Sequence, residues 1–176
     1  MLGLAKGTVK LSPFNSEWKI FYQKEEKKLH KILWNLILDI QHVGSTSIIW
    51  CSAKAIIDIA IAVNDISNCD QCIKLMKENG YEYKEDGGIK GRHFFAKGKP
   101  NKRTHYIHIE NINSELRYNH ILFRDYLNAH PNMISTYNQL KTGLAKQYAL
   151  DRETYTTLKS DFIVWIIQKA KEIIFH

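Results

Sequence analysis

The chain has 176 residues, of which 44% are hydrophobic and 24% are charged, as in an ordinary globular protein that needs no disulfide staples. No apolar stretch reaches the ~18 residues that span a bilayer, so the sequence excludes a membrane-spanning segment and predicts a cytoplasmic protein with no membrane contact. The formal net charge of +7 favours an anionic partner such as a nucleotide or RNA, with a merely solvated basic surface as the alternative.

The first half of the chain predicts a helix followed by the beginning of a sheet. Apolar residues recur at helical spacing over residues 17–35, and a short strand is predicted at 39–43. That strand ends at a run of four small residues, Gly44-Ser45-Thr46-Ser47. The next strand, residues 55–63 (AIIDIAIAV), is almost wholly apolar, which is typical of a strand buried on both faces. Asp58 is its one charged residue.

The rest of the chain predicts more sheet and then a change to helical periodicity. A helix at 68–79 ends at Gly80, and strands follow at 81–84, 93–97 and 103–110. Helices are predicted at 115–129, 131–150 and 154–175. An apolar stripe of the last helix is expected to pack as core; it comprises Tyr155, Leu158, Phe162, Trp165, Ile166 and Ile173.

These elements predict one α+β domain over residues 1–176. A mixed β-sheet with flanking helices occupies about 36–112, and a C-terminal helical layer occupies about 113–176. The three cysteines suit a reducing compartment. Cys69 and Cys72 form a CxxC, but no second pair lies at zinc-site spacing, which favours a structural role.

The small-residue turn and Asp58 form the candidate site. A glycine-serine turn after a strand offers backbone N–H groups and hydroxyls to phosphate oxygens, with Gly44, Ser45 and Thr46 as the donors. A carboxylate in an apolar strand must be paired, lie at a strand end or bind a cation. A contact between Asp58 and Lys54 is the structural alternative.

A magnesium site would need help from another strand. Paired carboxylates of phosphoryl-transfer sites usually stand at i and i+2, but Ala60 occupies that position here. Along residues 103–110, His108 and Glu110 share a face and are candidate base or second ligand, while Arg103 lies on the opposite face. His108 as an ordinary hydrogen-bonded interior histidine is the alternative.

Several segments together resemble the GrpB family: HVGSTS with AKAIIDIAIAV, GRHFFAKG, THYIHIE and FRDYLNAHP. The resemblance implies a nucleotidyltransferase-like fold of the polymerase-β type, with Gly44-Ser45 as the nucleotide-phosphate turn and Asp58 as the metal-site carboxylate. The chain departs from the family where Ile49-Trp50 replaces a usual Pro-Gly, where Ala55 follows Lys54, and at Ala60.

The expected function is therefore binding of a nucleoside triphosphate (NTP) and Mg²⁺-dependent transfer of its nucleotidyl group to an unknown acceptor, a small molecule or RNA. Asp58 would hold the metal, with Glu110 or His108 as auxiliary ligand or base, and Lys54 and Arg103 would offset phosphate charge. The alternatives are a catalytically inactive nucleotide- or RNA-binding module of the same fold and a scaffold protein that uses its helical layer.

Overall fold

A five-stranded mixed sheet forms the centre of the protein in the computed structural model, which describes residues 2–174. In chain order the strands are β1 (Asp39–Val43), β2 (Ile57–Val63), β3 (Glu82–Tyr83), β4 (Arg92–Lys97) and β5 (His105–Asn111). Their spatial order is β1-β2-β5-β4-β3, with β2 and β5 parallel and the other neighbours antiparallel. The predicted α+β class is confirmed, and the two strands predicted to carry the site are neighbours.

Helices cover both faces of this sheet. They are α1 (Glu17–Leu33), α2 (Asp70–Glu78), α3 (Glu115–Ala129), α4 (Pro131–Gln147), α5 (Arg152–Leu158) and α6 (Ser160–Ile174). Side chains of α1 and α2 pack on one face, and α3 crosses the other, where Arg117 contacts Asp39 and Arg124 contacts Gln41. Within residues 2–174, no helix combines the length and the apolar character that a membrane crossing requires.

Strand alternation separates the side chains of the sheet into two chemically different sets. The face under α1 and α2 is an isoleucine layer of fully buried side chains, namely Ile57, Ile59, Ile61, Ile107 and Ile109. The face under α3 carries Asp58, Ala60, His108 and Glu110, which the strand register places side by side. Ala60 and Ala62 leave room on that face for the longer polar side chains of His108 and Glu110, with which they are paired.

The predicted last helix is two helices, α5 and α6, which meet at Lys159. Only part of the predicted apolar stripe is core, because the break interrupts its periodicity. Ile166 is fully buried, but Leu158, Trp165 and Ile173 are 44%, 42% and 61% exposed. Phe175, the predicted end of the helix, lies outside the described residues. The CxxC pair is buried between α2 and the sheet.

Candidate functional site

The turn after β1 lies directly against the carboxylate of β2. Gly44 has φ +69°, and a β-carbon added there would lie 2.8 Å from Asp58 Oδ2. Any other residue would be strained by that backbone conformation and would collide with the carboxylate. The Ser47 hydroxyl closes the turn by donating to the Gly44 carbonyl at 2.6 Å. The structure thus brings Gly44 and Asp58 together, as the sequence suggested, while the Ser45 side chain contacts Tyr137 of α4.

Asp58 is a partly accessible carboxylate, with 32% of its side chain exposed and one oxygen 3.6 Å from His108 Nε2. Burial alone raises the pKa of the Asp58 carboxyl. The His108 ring that faces Asp58, together with the positive charges of Lys54 and Lys159, outweighs burial and holds that pKa below its usual value. Asp58 is therefore an ionised carboxylate at neutral pH.

His108 is oriented by Arg92, whose Nη1 lies 2.8 Å from His108 Nδ1. A guanidinium only donates, so Nδ1 accepts and the proton of the neutral ring sits on Nε2, facing Asp58. Burial lowers the pKa of His108, which keeps the ring neutral. In this arrangement neither ring nitrogen has a free lone pair, which does not favour His108 as base or metal ligand; that role stays a prediction. His108 instead donates toward Asp58.

Glu110 shares a face with Asp58 but lies too far along it to share a metal ion. Tyr106 is the register partner of Asp58, and Glu110 is four residues further, roughly 13 Å at strand rise. It is fully buried, with one oxygen 3.3 Å from His120 Nδ1. The prediction of Glu110 as second metal ligand is corrected accordingly. Among residues 2–174, no cluster of three or more His, Cys, Asp or Glu side chains is arranged to hold a metal.

Two further predicted residues point away from Asp58. Thr46 is buried, and its hydroxyl lies 3.0 Å from His42 Nε2, so it is held under α1 and is not a phosphate donor. Arg103 is buried in an ion pair with Glu82 on the edge strand and donates to the Gly98 carbonyl at 2.7 Å. Its predicted phosphate-facing role is incompatible with those contacts.

Cations from the C-terminal helices complete the site. The Lys54 and Lys159 ammonium groups lie 5.2 and 5.6 Å from the centre of the Tyr155 ring, so both make a cation–π contact with the same ring. Burial first, and then their mutual repulsion with Arg152, lowers the pKa of Lys54. Burial likewise lowers the pKa of Lys159 to about 8, although Asp58 opposes that shift. The Asp58 carboxylate therefore faces an excess of positive charge.

Arg152 is only partly satisfied by its hydrogen bonds. Its Nη1 donates to the Tyr106 hydroxyl at 2.8 Å, and Tyr106 is the residue paired with Asp58 across β2 and β5. Its Nε and Nη2 atoms are buried and lack a hydrogen-bond partner. Sequence reasoning missed Arg152 and Lys159 because they are about a hundred residues from Asp58 and the break at Lys159 was not foreseen. The presence of Arg152 and Lys159 close to Tyr155 in the sequence was the only sign that cations could gather there.

Most cations of the β4–β5 hairpin are paired within the protein. Arg92 is bound to His108 and to the Asp86 carbonyl, Lys97 is bound to Glu25, and Arg103 is bound to Glu82. The hairpin therefore has less free positive charge for RNA or nucleotide than its sequence suggests. The positive charge that faces Asp58 comes from Lys54 and the helical layer.

Comparison with known proteins agrees with this architecture. The GrpB protein family model matches residues 8–169. The YqkA protein of Bacillus subtilis is 39% identical over 166 residues, which is 94% of this chain but only 48% of that protein, so the chain spans about half the length of this relative. The crystal structure of the conserved protein GrpB from Enterococcus faecalis superposes with a TM-score of 0.86 at 32% identity, covering 95% of this chain and 100% of that one.

A more distant structure shares the fold alone. The Cid1 poly(U) polymerase, in a structure of a mutant bound to MgATP, superposes with a TM-score of 0.55 at 12% identity. The superposition covers 76% of this chain and 44% of that one. The fold is thus nucleotidyltransferase-like. With the family model covering most of its length and a solved GrpB structure matching it from end to end, the chain belongs to the GrpB family.

Proposed function

We propose that this protein binds the phosphates of a nucleoside triphosphate at the Gly44-Ser45 turn, with Lys54, Arg152 and Lys159 as counter-charges. The observation that carries the proposal is the pair of buried Arg152 nitrogens that lack a hydrogen bond, on a guanidinium bound to Tyr106, the strand partner of Asp58. Buried guanidinium N–H groups are costly unless an acceptor reaches them, and phosphate oxygens fit their planar geometry.

The charge balance favours an anion. Three cations surround one carboxylate, and repulsion among them contributes to the lowered pKa of both lysines. A multiply charged phosphate chain would relieve that repulsion and accept the free Arg152 hydrogens. The Gly44 φ of +69° and the missing side chain let the turn lie directly against Asp58, so a phosphate held at the turn would also be close to that carboxylate.

A nucleotide is the favoured anion because of the shared fold. The Cid1 structure of that fold holds MgATP, and this chain follows it over 76% of its length. RNA receives less support, because the basic hairpin is mostly paired internally. The acceptor, a small molecule or RNA, is left open.

One Mg²⁺ ion delivered with the nucleotide fits the residues present. Magnesium is commonly held by one or two protein carboxylates plus substrate phosphates, and Asp58 supplies one ionised, accessible carboxylate. A two-metal protein site does not fit, since Ala60 has no ligand atom and Glu110 is out of reach. When bound, the ion would neutralise phosphate charge.

Titration calorimetry with ATP and with inorganic tripolyphosphate tests the binding. Arg152→Gln keeps a polar side chain but loses the charge, so affinity for both ligands should fall about tenfold or more. Lys74→Gln on α2 removes one exposed charge on the other side of the sheet and should change affinity less than about twofold. Equal losses in the two variants would mean that net charge alone governs binding.

Nucleotidyl transfer is the second candidate, and the ionised Asp58 against the turn favours it. In the transfer, an acceptor hydroxyl oxygen bonds to the α-phosphorus, the α–β bridging P–O bond breaks, pyrophosphate leaves and the hydroxyl proton passes to solvent. Lys54, Arg152 and Lys159 would stabilise the phosphate charge that develops. The inactive binding module differs only in that this step does not occur.

Asp58→Asn separates these candidates. The variant should keep tripolyphosphate binding, because the amide repels phosphate less than the carboxylate does, but should lose the Mg²⁺-dependent increase in ATP affinity. Release of pyrophosphate from ATP by the native protein, absent in Asp58→Asn, would establish transfer. Turnover that survives in the variant would remove Asp58 from the mechanism.

A further inference from the structure

A cavity of about 590 Å³ opens next to the phosphate turn, on the side of α1. Its lining includes Pro13, Phe14 and Trp18 from the start of the chain, together with Trp50 and Ala55 from the segment that joins the turn to β2. Its volume lies within the usual range of small-molecule sites. Two tryptophans and a phenylalanine give it an aromatic wall.

Trp50 is held in an unfavourable conformation and is largely exposed. Its φ is +64°, a left-handed backbone that a bulky residue rarely adopts, and 71% of the residue is open to solvent. Burial of the indole therefore does not explain the position. Strained backbone that persists without a packing gain is characteristic of binding sites.

Neighbouring helices fix the Trp50 peptide in place. Asn138 of α4 donates to the Trp50 carbonyl at 3.0 Å and accepts from the Ser52 amide at 2.9 Å. Asn128 of α3 accepts from the Ile49 amide at 3.0 Å. These bonds preorganise the segment, so a ligand would not have to order it.

Among residues 2–174, one aromatic side chain, Phe14, contacts the indole. The Phe14 ring centre lies 5.5 Å from that of Trp50 at an interplanar angle of 54°, and Phe14 in turn meets Trp18 edge-on at 6.1 Å. A tilted contact of this kind supports the indole without covering its face. The open face and the cavity are therefore available to a second flat ring.

We infer that Trp50 is a stacking platform for a planar aromatic ring, in the first instance a purine or pyrimidine base. Stacking on an exposed aromatic side chain is the usual way in which proteins hold bases without reading their edges. Trp50 follows Ser45 by five residues, and Ala55 of the cavity adjoins Lys54, so one short segment of the chain joins the ring site to the phosphate site. The inference rests on the proposed function only in identifying the ring as a nucleobase.

Two ring sources share this chemistry: the base of the bound nucleoside triphosphate, and an aromatic group of a separate molecule such as the acceptor. A free nucleoside tests for the ring site under either source, because it has the ring and lacks the phosphates. The experiment is a ¹⁵N NMR titration of the native protein with adenosine and with uridine. The four tryptophan indole N–H signals are followed, and Trp50 is assigned from Trp50→Gly.

The Trp50 indole signal should shift in a saturable way, and Trp50→Gly should weaken nucleoside binding about fivefold or more. Trp50→Phe, which keeps a ring, should retain more affinity than Trp50→Gly. Trp34→Gly is the matched control, because Trp34 is 78% exposed and also has a positive φ of 39° but does not line the cavity. Unshifted Trp50, or equal affinity of Trp50→Gly and native protein, would overturn the inference.

Calorimetry on the same variants identifies the source of the ring. If the base of the bound nucleotide stacks on Trp50, Trp50→Gly weakens ATP binding but leaves tripolyphosphate binding unchanged. If a separate molecule stacks there, ATP affinity is unchanged and adenosine still binds the ATP-loaded protein. Tripolyphosphate that fails to bind native protein while adenosine shifts Trp50 would reject the phosphate site and keep the ring site.

Discussion

The two faces of the central sheet differ in how completely their polar side chains are paired within the protein. Under α1 and α2 the isoleucine layer is sealed, and the one buried acid, Glu25, is matched by Tyr81 at 2.5 Å and Lys97 at 2.5 Å. Burial raises the pKa of Glu25, but these two bonds and His105 bring it below its usual value. Glu25 and Lys97 are thus paired with each other, and the His105 Nε2 atom is the one in this network that is buried without a hydrogen bond.

Under α3 the balance is different. Asp58 is partly open, the oxygens of Glu110 and two nitrogens of Arg152 have no hydrogen bond, and three cations surround one carboxylate. Such incomplete satisfaction is costly for folding and is expected where a ligand supplies the missing contacts. The contrast suggests that the isoleucine face stabilises the fold and that the α3 face is adapted for binding.

The largest expected effect compares adjacent residues of β2 that point to opposite faces. Ile59→Ala removes a fully buried side chain, and the free energy of unfolding should fall by about 2–5 kcal/mol. Asp58→Asn changes a partly exposed group to a near-isostere and should cost less than about 1 kcal/mol. Urea denaturation measures both values. A larger loss of stability for Asp58→Asn than for Ile59→Ala would contradict the inference that the isoleucine face stabilises the fold and the α3 face is adapted for binding.

A smaller effect is expected at the turn, where two glycines with positive φ can be compared. Gly44→Ala adds strain at φ +69° and a contact of 2.8 Å with Asp58, so it should destabilise by about 2 kcal/mol and abolish tripolyphosphate binding. Gly7→Ala has a φ of +83° but no atom within 4 Å of the new carbon, so it carries strain alone. Similar losses in stability and binding for both variants would show that the approach of Gly44 to Asp58 has no special role.

The isoleucine face and the approach of Gly44 to Asp58 could be predicted from the sequence, because strand alternation and apolar runs are local signals. The strand around Asp58 and its closeness to Gly44 could be found this way, since β1 and β2 are neighbours in chain and space. Alternation also placed Arg103 opposite His108, a sign that it could not meet Asp58. Assigning it a phosphate-facing role ignored that parity.

The cations of the site and the role of His108 could not be predicted, because they depend on tertiary structure. Arg152 and Lys159 reach Asp58 only because α5 and α6 meet at Lys159 and fold back over the sheet, and no local pattern encodes that approach. The role of His108 likewise required the Arg92 contact, which fixes the protonated nitrogen. Residue identity alone left base, ligand and interior histidine open, with the interior histidine the more frequent outcome for any single His.

The α3 face should also give a pH dependence through Lys159. Lys159 has a pKa of about 8 in the folded protein and an ordinary value of 10.5 when unfolded. Between these values the unfolded chain holds a proton that the folded chain has lost, so this group makes the free energy of unfolding rise with pH from about 8 to 10.5. Its neighbours are Asp58 on β2, Lys141 on α4, Arg152 on α5 and Cys51 in the loop.

Ligand affinity should follow the opposite sign. Bound phosphate favours the protonated lysine, so ATP affinity should fall about fivefold as pH rises from about 7.5 to 9, a range in which the terminal phosphate of ATP is already ionised. Lys159→Arg keeps its charge throughout this range and should flatten the profile, while other titrating groups are unchanged. Calorimetry at several pH values gives both curves. If Lys159→Arg retained the native slope, the titrating positive charge that the ligand senses would have to belong to Lys54. Lys159, at the junction of α5 and α6, would then not be part of the site.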